Sequence, residues 1–469
     1  MKKTIKLIWM STLRIIIKKR LHLIDAPPFL SDMLQKKLTL QNPKWLENER
    51  MGRWNKGIPK TLAFYDILKS SLSVPRGLAR WVILQARENN IDHTIDDRRR
   101  CLPDIHIEFQ GSLKPFQTQA ANVMLSKDFG TLNAPTGSGK TVMALFMIAA
   151  RNQPATIIVH NKSLAHQWIS RIETFLGIAE KEVGLVGDGK KIIGEHVTVA
   201  LVQSVYKYSK EIARKTGFLV VDECHRTPSR TFTEAVSHFD STYSLGLSAT
   251  PYRRDNLSNL IFWYLGDAHH TIDKSYLVET GDILSAEIMI RKTQFKTSFD
   301  PVREYTKMLS ELAANDERNR LIASDVAQEA SDQKGAFLIL SDRKTHCESL
   351  KTLLQYKYKI NAEILTGDLN SNQRDEIIKR LKQGNLKVLI ATGQLIGEGF
   401  DAENLATLFL ATPVRFSGRI LQYLGRVLRP SGDKQKARVF DYVDIHVDVL
   451  VNAAMARKKA YGRHATIYE

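Results

Sequence analysis

The stretch Leu132–Thr141, LNAPTGSGKT, runs from a short apolar segment into a glycine-rich turn that ends in Lys-Thr. A strand that stops at such a turn and hands over to a helix presents backbone N–H groups to an anion. Gly137 and Gly139 permit the tight turn around Thr136 and Ser138, Lys140 brings a positive charge to a β/γ-phosphate, and the Thr141 hydroxyl can ligate Mg²⁺. The first position is Ala134 where a glycine is usual, so the pattern reads A-x-x-G-x-G-K-T.

Outward from this loop, one pattern repeats. The runs ATIIVH (155–160), VTVALVQ (197–203), FLVVDE (218–223) and SLGLSAT (244–250) are apolar without strict alternation. That is the pattern of strands buried on both faces of a parallel sheet. Between them TVMALFMIAARN and SLAHQWISRIETFL carry helical spacing, so strand and helix alternate. The pattern restarts at GAFLILS (335–341) and continues through AEILTG (362–367), KVLIATG (387–393), TLFLATP (407–413) and ARVFDYVD (437–444). The fold class expected is α/β, with two tandem doubly wound parallel-sheet domains over residues 111–275 and 301–469 and a linker over 276–300. A small basic domain of mixed α+β class precedes them over residues 1–110, with PDIHIEF (103–109) as the strand leading into the first sheet.

The 469 residues exceed what one hydrophobic core serves. Lys and Arg outnumber Asp and Glu by 68 to 50, and residues 1–110 hold 21 bases against 11 acids, so +10 of the +18 lies in the first quarter. Such a surplus favours a polyanionic partner. Cys101, Cys224 and Cys347 are far apart and form no C-x-x-C pair, which speaks against a disulfide framework and suits a reducing compartment. Lys6, Arg14 and Lys18 interrupt the apolar N-terminus too often for an export signal, and no stretch approaches the roughly 20 apolar residues of a membrane span, so a cytoplasmic location is expected.

The run VVDECHRTPSR (220–230) sets Asp222 and Glu223 at the end of an apolar strand, some 80 residues after the phosphate loop. A nucleotide hydrolase needs one carboxylate there for Mg²⁺ and a second to orient water; Asp222 fits the first role and Glu223 the second. Zinc would need further ligands at close spacing, and a Cys224/His225 nucleophile pair is disfavoured because neighbours on a strand face opposite ways. QYLGRVLRP (422–430) adds Arg426 and Arg429, three apart on one helix face, where guanidinium groups can reach phosphates on a neighbouring domain.

The ordered series LKPFQTQ, APTGSGKT, VHNKSLAHQW, VALVQS, DECH, LSATPYRRD, FLILSDRKTH, LTG, IGEGFD and QYLGRVLR resembles the motif set of superfamily 2 helicases, over about Leu113 to Asp444. HNKSLAHQW, DECH, GEGFD and QYLGR are closer to the XPB-like group and to phage branch-migration helicases than to DEAD-box RNA helicases, which favours DNA as partner. The resemblance implies RecA-like domains, ATP and Mg²⁺ as cofactors, and these roles: Gln117 contacts adenine; Ser248, Ala249 and Thr250 couple hydrolysis to domain closure; Gly399 and Asp401 sense nucleotide; Gln422, Arg426 and Arg429 sense the γ-phosphate. Arg253-Arg254-Asp255 departs from the R-E-D triplet of XPB-like proteins in its middle charge. Strand contacts are expected from the loops HNKSLAHQW, VQSV and SDRKTH, mostly to phosphates and without sequence preference.

In the N-terminal segment, NPKWLENERMGRWNKG interleaves Trp45 and Trp54 with Arg50, Arg53 and Lys56, a mixture able to stack on bases and neutralise phosphates. Burial of both tryptophans in a core is the alternative. The expected function is an ATP-dependent DNA helicase or translocase on branched or partly duplex DNA. The motor subunit of a restriction or defence assembly and an RNA-dependent ATPase are the competing readings.

Overall fold

The structure is a computed structural model that describes residues 12–225, 229–249, 257–332, 335–393, 404–414, 423–424, 437–461 and 465–468. By packing, the chain divides into two compact units, residues 1–134 with 139–272 and residues 273–469 together with the four loop residues 135–138. Each is described by itself.

The first unit opens with β1 (Leu13–Ile17), β2 (Arg20–Ile24), α1 (Pro28–Lys37), β3 (Thr39–Gln41), α2 (Pro43–Arg50), β4 (Thr61–Ala63), β5 (Asp66–Leu68), β6 (Ser71–Pro75), α3 (Ala79–Glu88) and β7 (His93–Asp97). The sheet order is β5-β6-β2-β1-β7, antiparallel except for the β1/β7 pair. Strand β2, RLHLI, alternates buried and half-buried side chains, so one face packs inward. Its apolar face meets Leu30 and Leu34 of α1 and Val82 and Ala86 of α3. β3 and β4 pair apart from this sheet and bracket α2, none of whose residues is buried.

The unit continues through α4 (Pro115–Leu125), β8 (Phe129–Asn133), α5 (Lys140–Arg151), β9 (Ala155–Val159), α6 (Lys162–Leu176), β10 (Gly184–Gly187), β11 (Lys190–Ile192), β12 (Val197–Leu201), β13 (Phe218–Val221), β14 (Tyr243–Ser248) and β15 (Ala268–Thr271). The order β11-β10-β12-β9-β13-β14-β8-β15 is parallel apart from the β10/β11 hairpin. Strands β9, β12 and β13 are buried at every position, as their unbroken apolar runs require.

The N-terminal sheet is seated on this domain. Arg76 is 2% exposed; its guanidinium donates to the Ser241 carbonyl at 2.9 Å and lies 5.0 Å from the Phe129 ring centroid. At Gly77 a Cβ would come within 2.6 Å of the carbonyl oxygens of Phe262 and Trp263, so only glycine fits that approach. Apolar residues of both sheets belong to one continuous cluster, from Leu13 to Leu265.

The second unit holds β16 (Ala286–Thr293), β17 (Ala336–Leu340), β18 (Ala362–Leu365), β19 (Val388–Ala391), β20 (Leu405–Leu410), β21 (Ala437–Asp444) and β22 (Ala465–Tyr468) in the order β18-β19-β17-β20-β21-β16-β22, all parallel. The expected α/β class with doubly wound parallel sheets is therefore what the chain adopts. Two local expectations differ. Residues 276–300, read as a linker, contain β16, which pairs with β21 at eight positions; only three of its residues are buried, because it lies one strand in from the sheet edge. PDIHIEF (103–109) forms no strand, and Ile105 makes one backbone hydrogen bond to Asn152. No described helix is long and apolar enough to cross a membrane.

Candidate nucleotide site

The site assembles where the C-terminal ends of β8, β13 and β14 meet, since parallel strands bring the loops that follow them to one edge. The Ala134 N–H donates to the Ser248 carbonyl at 2.9 Å, tying the start of the phosphate loop to the end of β14. Gly137 and Gly139 have φ of 93° and 82°, the left-handed region that glycine reaches without strain. The loop delivers Lys140 as the first residue of α5, whose N-terminus has no side-chain cap. A helix start of that kind leaves several N–H groups for a ligand. The Lys140 ammonium donates to the Ala134 carbonyl at 3.1 Å, and Thr141 follows it on α5. Ser138 is buried and its hydroxyl donates to the Pro135 carbonyl at 2.8 Å; the Thr136 hydroxyl is buried with no hydrogen-bond partner.

Gln117 stands at the third position of α4, where its Oε1 accepts from the Lys114 N–H at 2.9 Å. Its amide also packs against the phosphate loop: a Cβ at residue 139 would lie 2.4 Å from Gln117 Nε2. The second glycine is thus required twice, by its backbone conformation and by this close approach.

Asp222 and Glu223 lie in a turn beyond the end of β13. This corrects the strand argument against a Cys224/His225 pair. What separates those two is direction: Cys224 is enclosed under β14, its N–H donating to the Leu247 carbonyl, whereas His225 turns toward Glu223 and Ser248. The Asp222 carboxylate is nearly buried, accepting from the Glu223 N–H at 2.9 Å and from the Trp168 indole N–H at 2.8 Å. Burial, followed by the adjacent Glu223 charge, pushes its carboxyl up to about 6; the Trp168 hydrogen bond and the Lys140 charge pull the other way. Glu223 holds φ of 45°, an uncommon conformation for a non-glycine residue and one that recurs at functional positions. Glu223 Oε2 is 3.4 Å from His225 Nδ1, and that nitrogen shares a 3.0 Å hydrogen bond with the Ser248 hydroxyl. The chain Glu223–His225–Ser248 links the acidic pair to the end of β14, with Ala249 next along the backbone.

Chemically, two neighbouring carboxylates, an ammonium group and the amides at the start of α5 form a receptor for a polyanion with a divalent cation. Burial first, and then the Glu223 charge, raise the Asp222 carboxyl, and both costs of a charged pair there are what a bound cation would relieve, so the residues fit Mg²⁺. Thr250, Gly399, Asp401, Gln422, Arg426 and Arg429 lie outside the described residues, as does the triplet 253–255. His225, Trp168 and Asn133 were not singled out from sequence for this site. Asn133 ends β8 with its side-chain oxygen buried and without a hydrogen-bond partner. Trp168 lies in HNKSLAHQW, expected as a strand-contact loop, and nothing in that motif links it to the acidic pair.

Of the expected strand contacts, Asn161 is spent as the N-cap of α6, accepting from the Leu164 N–H at 2.8 Å. Lys162 forms an ion pair with Asp188 of the β10–β11 turn, and His166 lies 3.6 Å from the same carboxylate. In the N-terminal part, Trp54 is 85% exposed, with Arg50 and Arg53 exposed on the same short segment. Trp45 is half-buried, with the Lys60 ammonium 5.1 Å from its ring centroid.

A phosphate loop and an acidic pair at the C-terminal ends of the two strands that flank β14 in a parallel sheet define a P-loop nucleotide hydrolase. Residues 110–253 match the family described as type III restriction enzyme, res subunit, and residues 318–431 match the helicase conserved C-terminal domain. The chain belongs to the superfamily 2 helicases, ATP-dependent enzymes that act on nucleic acid. It is 26% identical to the DNA 3'-5' translocase XPB2 of Sulfurisphaera tokodaii, over 74% of this chain and 83% of that one. Identity is also 26% to a putative ATP-dependent RNA helicase of Acanthamoeba polyphaga mimivirus, over 89% and 78%. Among solved structures, a fragment of a putative HsdR subunit of a type I restriction enzyme from Vibrio vulnificus YJ016 shares the fold with a TM-score of 0.58 and 16% identity, over 77% of this chain and 69% of that one.

Proposed function

We propose that the protein is an ATP- and Mg²⁺-dependent DNA helicase or translocase acting on branched or partly duplex DNA. The observation that carries this reading is the Asp222–Glu223 pair, its Asp222 buried, beside Lys140 and the start of α5, which has no side-chain cap. In it Lys140 and the amides of Thr136 to Thr141 bind phosphates, Thr141 and Asp222 hold Mg²⁺, and Glu223 orients the attacking water. The cation, when bound, neutralises charge developing on the phosphates. Gln117 takes the adenine, Ser248, Ala249 and Thr250 pass on the state of the site, and Gly399, Asp401, Gln422, Arg426 and Arg429 complete the phosphate contacts.

DNA is favoured by the XPB-like motif variants and supported by the named activity of the Sulfurisphaera tokodaii relative. For the substrate-choosing surface, residues 36–60 hold seven bases against two acids, half of the N-terminal surplus, around the exposed Trp54. Trp54 would stack on an unpaired base while Arg50 and Arg53 hold phosphates and Trp45 supports the segment.

The test is ATP turnover with single-stranded, duplex, forked and four-way DNA and matched RNA. Stimulation by forked or four-way DNA above plain strands and RNA is expected. Lys140→Ala should abolish it and Trp54→Ala should reduce the preference for forks. Equal stimulation by RNA, or turnover of Glu223→Gln near the wild-type rate, sinks the reading. A motor subunit of a restriction assembly is the second reading, favoured by the family matched over residues 110–253; a nuclease co-purifying with the chain would support it.

A further inference from the structure

Helix α6 touches two places at once. Near its start, Lys162 and His166, one turn apart and both mostly exposed, share the Asp188 carboxylate, which a left-handed residue (φ 54°) holds out on the β10–β11 turn. Further along the same helix, Trp168 is buried to 1% exposure and spends its one polar atom on Asp222. A buried indole N–H needs an acceptor, and here that acceptor is the Asp222 carboxylate at 2.8 Å, which turns one carboxylate oxygen toward α6. The Trp168 N–H therefore sets which way the Asp222 carboxylate faces, while the Glu223 N–H fixes its other oxygen.

We propose that Trp168 is a positioning residue for the cation-holding carboxylate, and that α6 carries strand occupancy to it: a nucleic-acid phosphate that draws Lys162 and His166 away from Asp188 moves the helix, and the helix moves the indole on Asp222. Lys162 and Trp168 belong to one unbroken helix, so a shift at its first turn reaches the indole without dissipating in a loop. The proposal rests on reading Asp222 as a Mg²⁺ residue and the start of α6 as a strand contact.

The decisive variant is Trp168→Phe, which keeps an aromatic ring and removes the donor. Binding of a fluorescent ATP analogue is titrated with Mg²⁺ in the full chain without turnover, and ATP turnover is measured with and without single-stranded DNA. The variant should bind the analogue in EDTA like the wild type, need about tenfold more Mg²⁺ for half-maximal tightening, as expected when a hydrogen-bond partner of a metal ligand is lost, and lose most of its stimulation by DNA. Wild-type Mg²⁺ dependence and stimulation in Trp168→Phe would make Trp168 a packing residue and overturn the proposal. Asp222→Asn is the control: should it too keep the Mg²⁺ dependence, the assignment of Asp222 falls, and the proposal with it, for a distinguishable reason. In case the variant does not fold, the indole N–H resonance of Trp168 in the wild-type chain gives the second measurement. It should move on addition of Mg²⁺ with nucleotide and again on addition of single-stranded DNA, and a resonance indifferent to both overturns the proposal.

Discussion

His346 sits in the second unit at 1% exposure, its Nε2 2.8 Å from Asn319 Oδ1 and its Nδ1 3.0 Å from the Ser341 hydroxyl. Burial, with the Arg318 charge adding to it, pushes the imidazolium pKa down to about 3 from the usual 6.5. The unfolded chain therefore binds a proton below pH 6.5 that the folded chain refuses, so stability rises with pH in that window and is lost as pH falls from 6.5 toward 3. Between pH 8 and pH 5 the second unit should lose about 2 kcal/mol on this account, and His346→Gln should flatten the loss; calorimetric melts at the two pH values check it. The sequence reads SDRKTH as a polar, basic loop suited to strand contact; in the structure Lys344 opens the helix Lys344–Tyr358 and pairs with Asp368, and Arg343 donates to the Thr306 carbonyl. The burial of His346 was not legible, because it depends on Asn319 from a helix 27 residues earlier. Similarly, the acidic pair is evident from its spacing to the phosphate loop, while the indole that donates to it is not, because that contact spans 54 residues.

At the scale of elements, the helix Asp448–Tyr461 is fastened to β21 by a single charged cluster. Arg457 donates to both oxygens of Asp441 at 2.7 to 3.0 Å, the Tyr461 hydroxyl donates to the same carboxylate, and all three residues are at most 2% exposed. Arg457→Met should cost about 3–5 kcal/mol, because it strands a buried carboxylate, and Asp441→Leu added to it should restore much of the loss. Denaturant midpoints of the single and double variants test this. The run ARVFDYVD was recognisable as a strand despite Asp441, since one acid does not hide an apolar run; that Asp441 anchors a following helix was not, because the pairing is tertiary. β16 escaped notice for a related reason. Its residues AEIMIRKT are only partly buried, so the run lacks the unbroken apolar character that marked the central strands.

For the molecule as a whole, the seating of the N-terminal sheet at Arg76 and Gly77 determines what the first unit is. Gly77→Ala drives a methyl group into two backbone carbonyls that cannot rotate away. It should lower the melting transition of the first unit and leave that of the second in place, and two-transition calorimetry would separate them. The tandem parallel sheets were readable because their period repeats along the chain. The shared core was not, since it depends on which face of an antiparallel sheet meets which helix. The same seating has a consequence for proteolysis. Arg98-Arg99-Arg100 is the most inviting tryptic site between the two sheets, yet the Arg98 guanidinium is paired with Asp96, that of Arg99 with Asp97 and Asp128, and that of Arg100 with Asp240. A protease that did nick there would cut one peptide bond and release nothing: the two pieces would still elute together, held by the buried Arg76 and the apolar cluster beneath it.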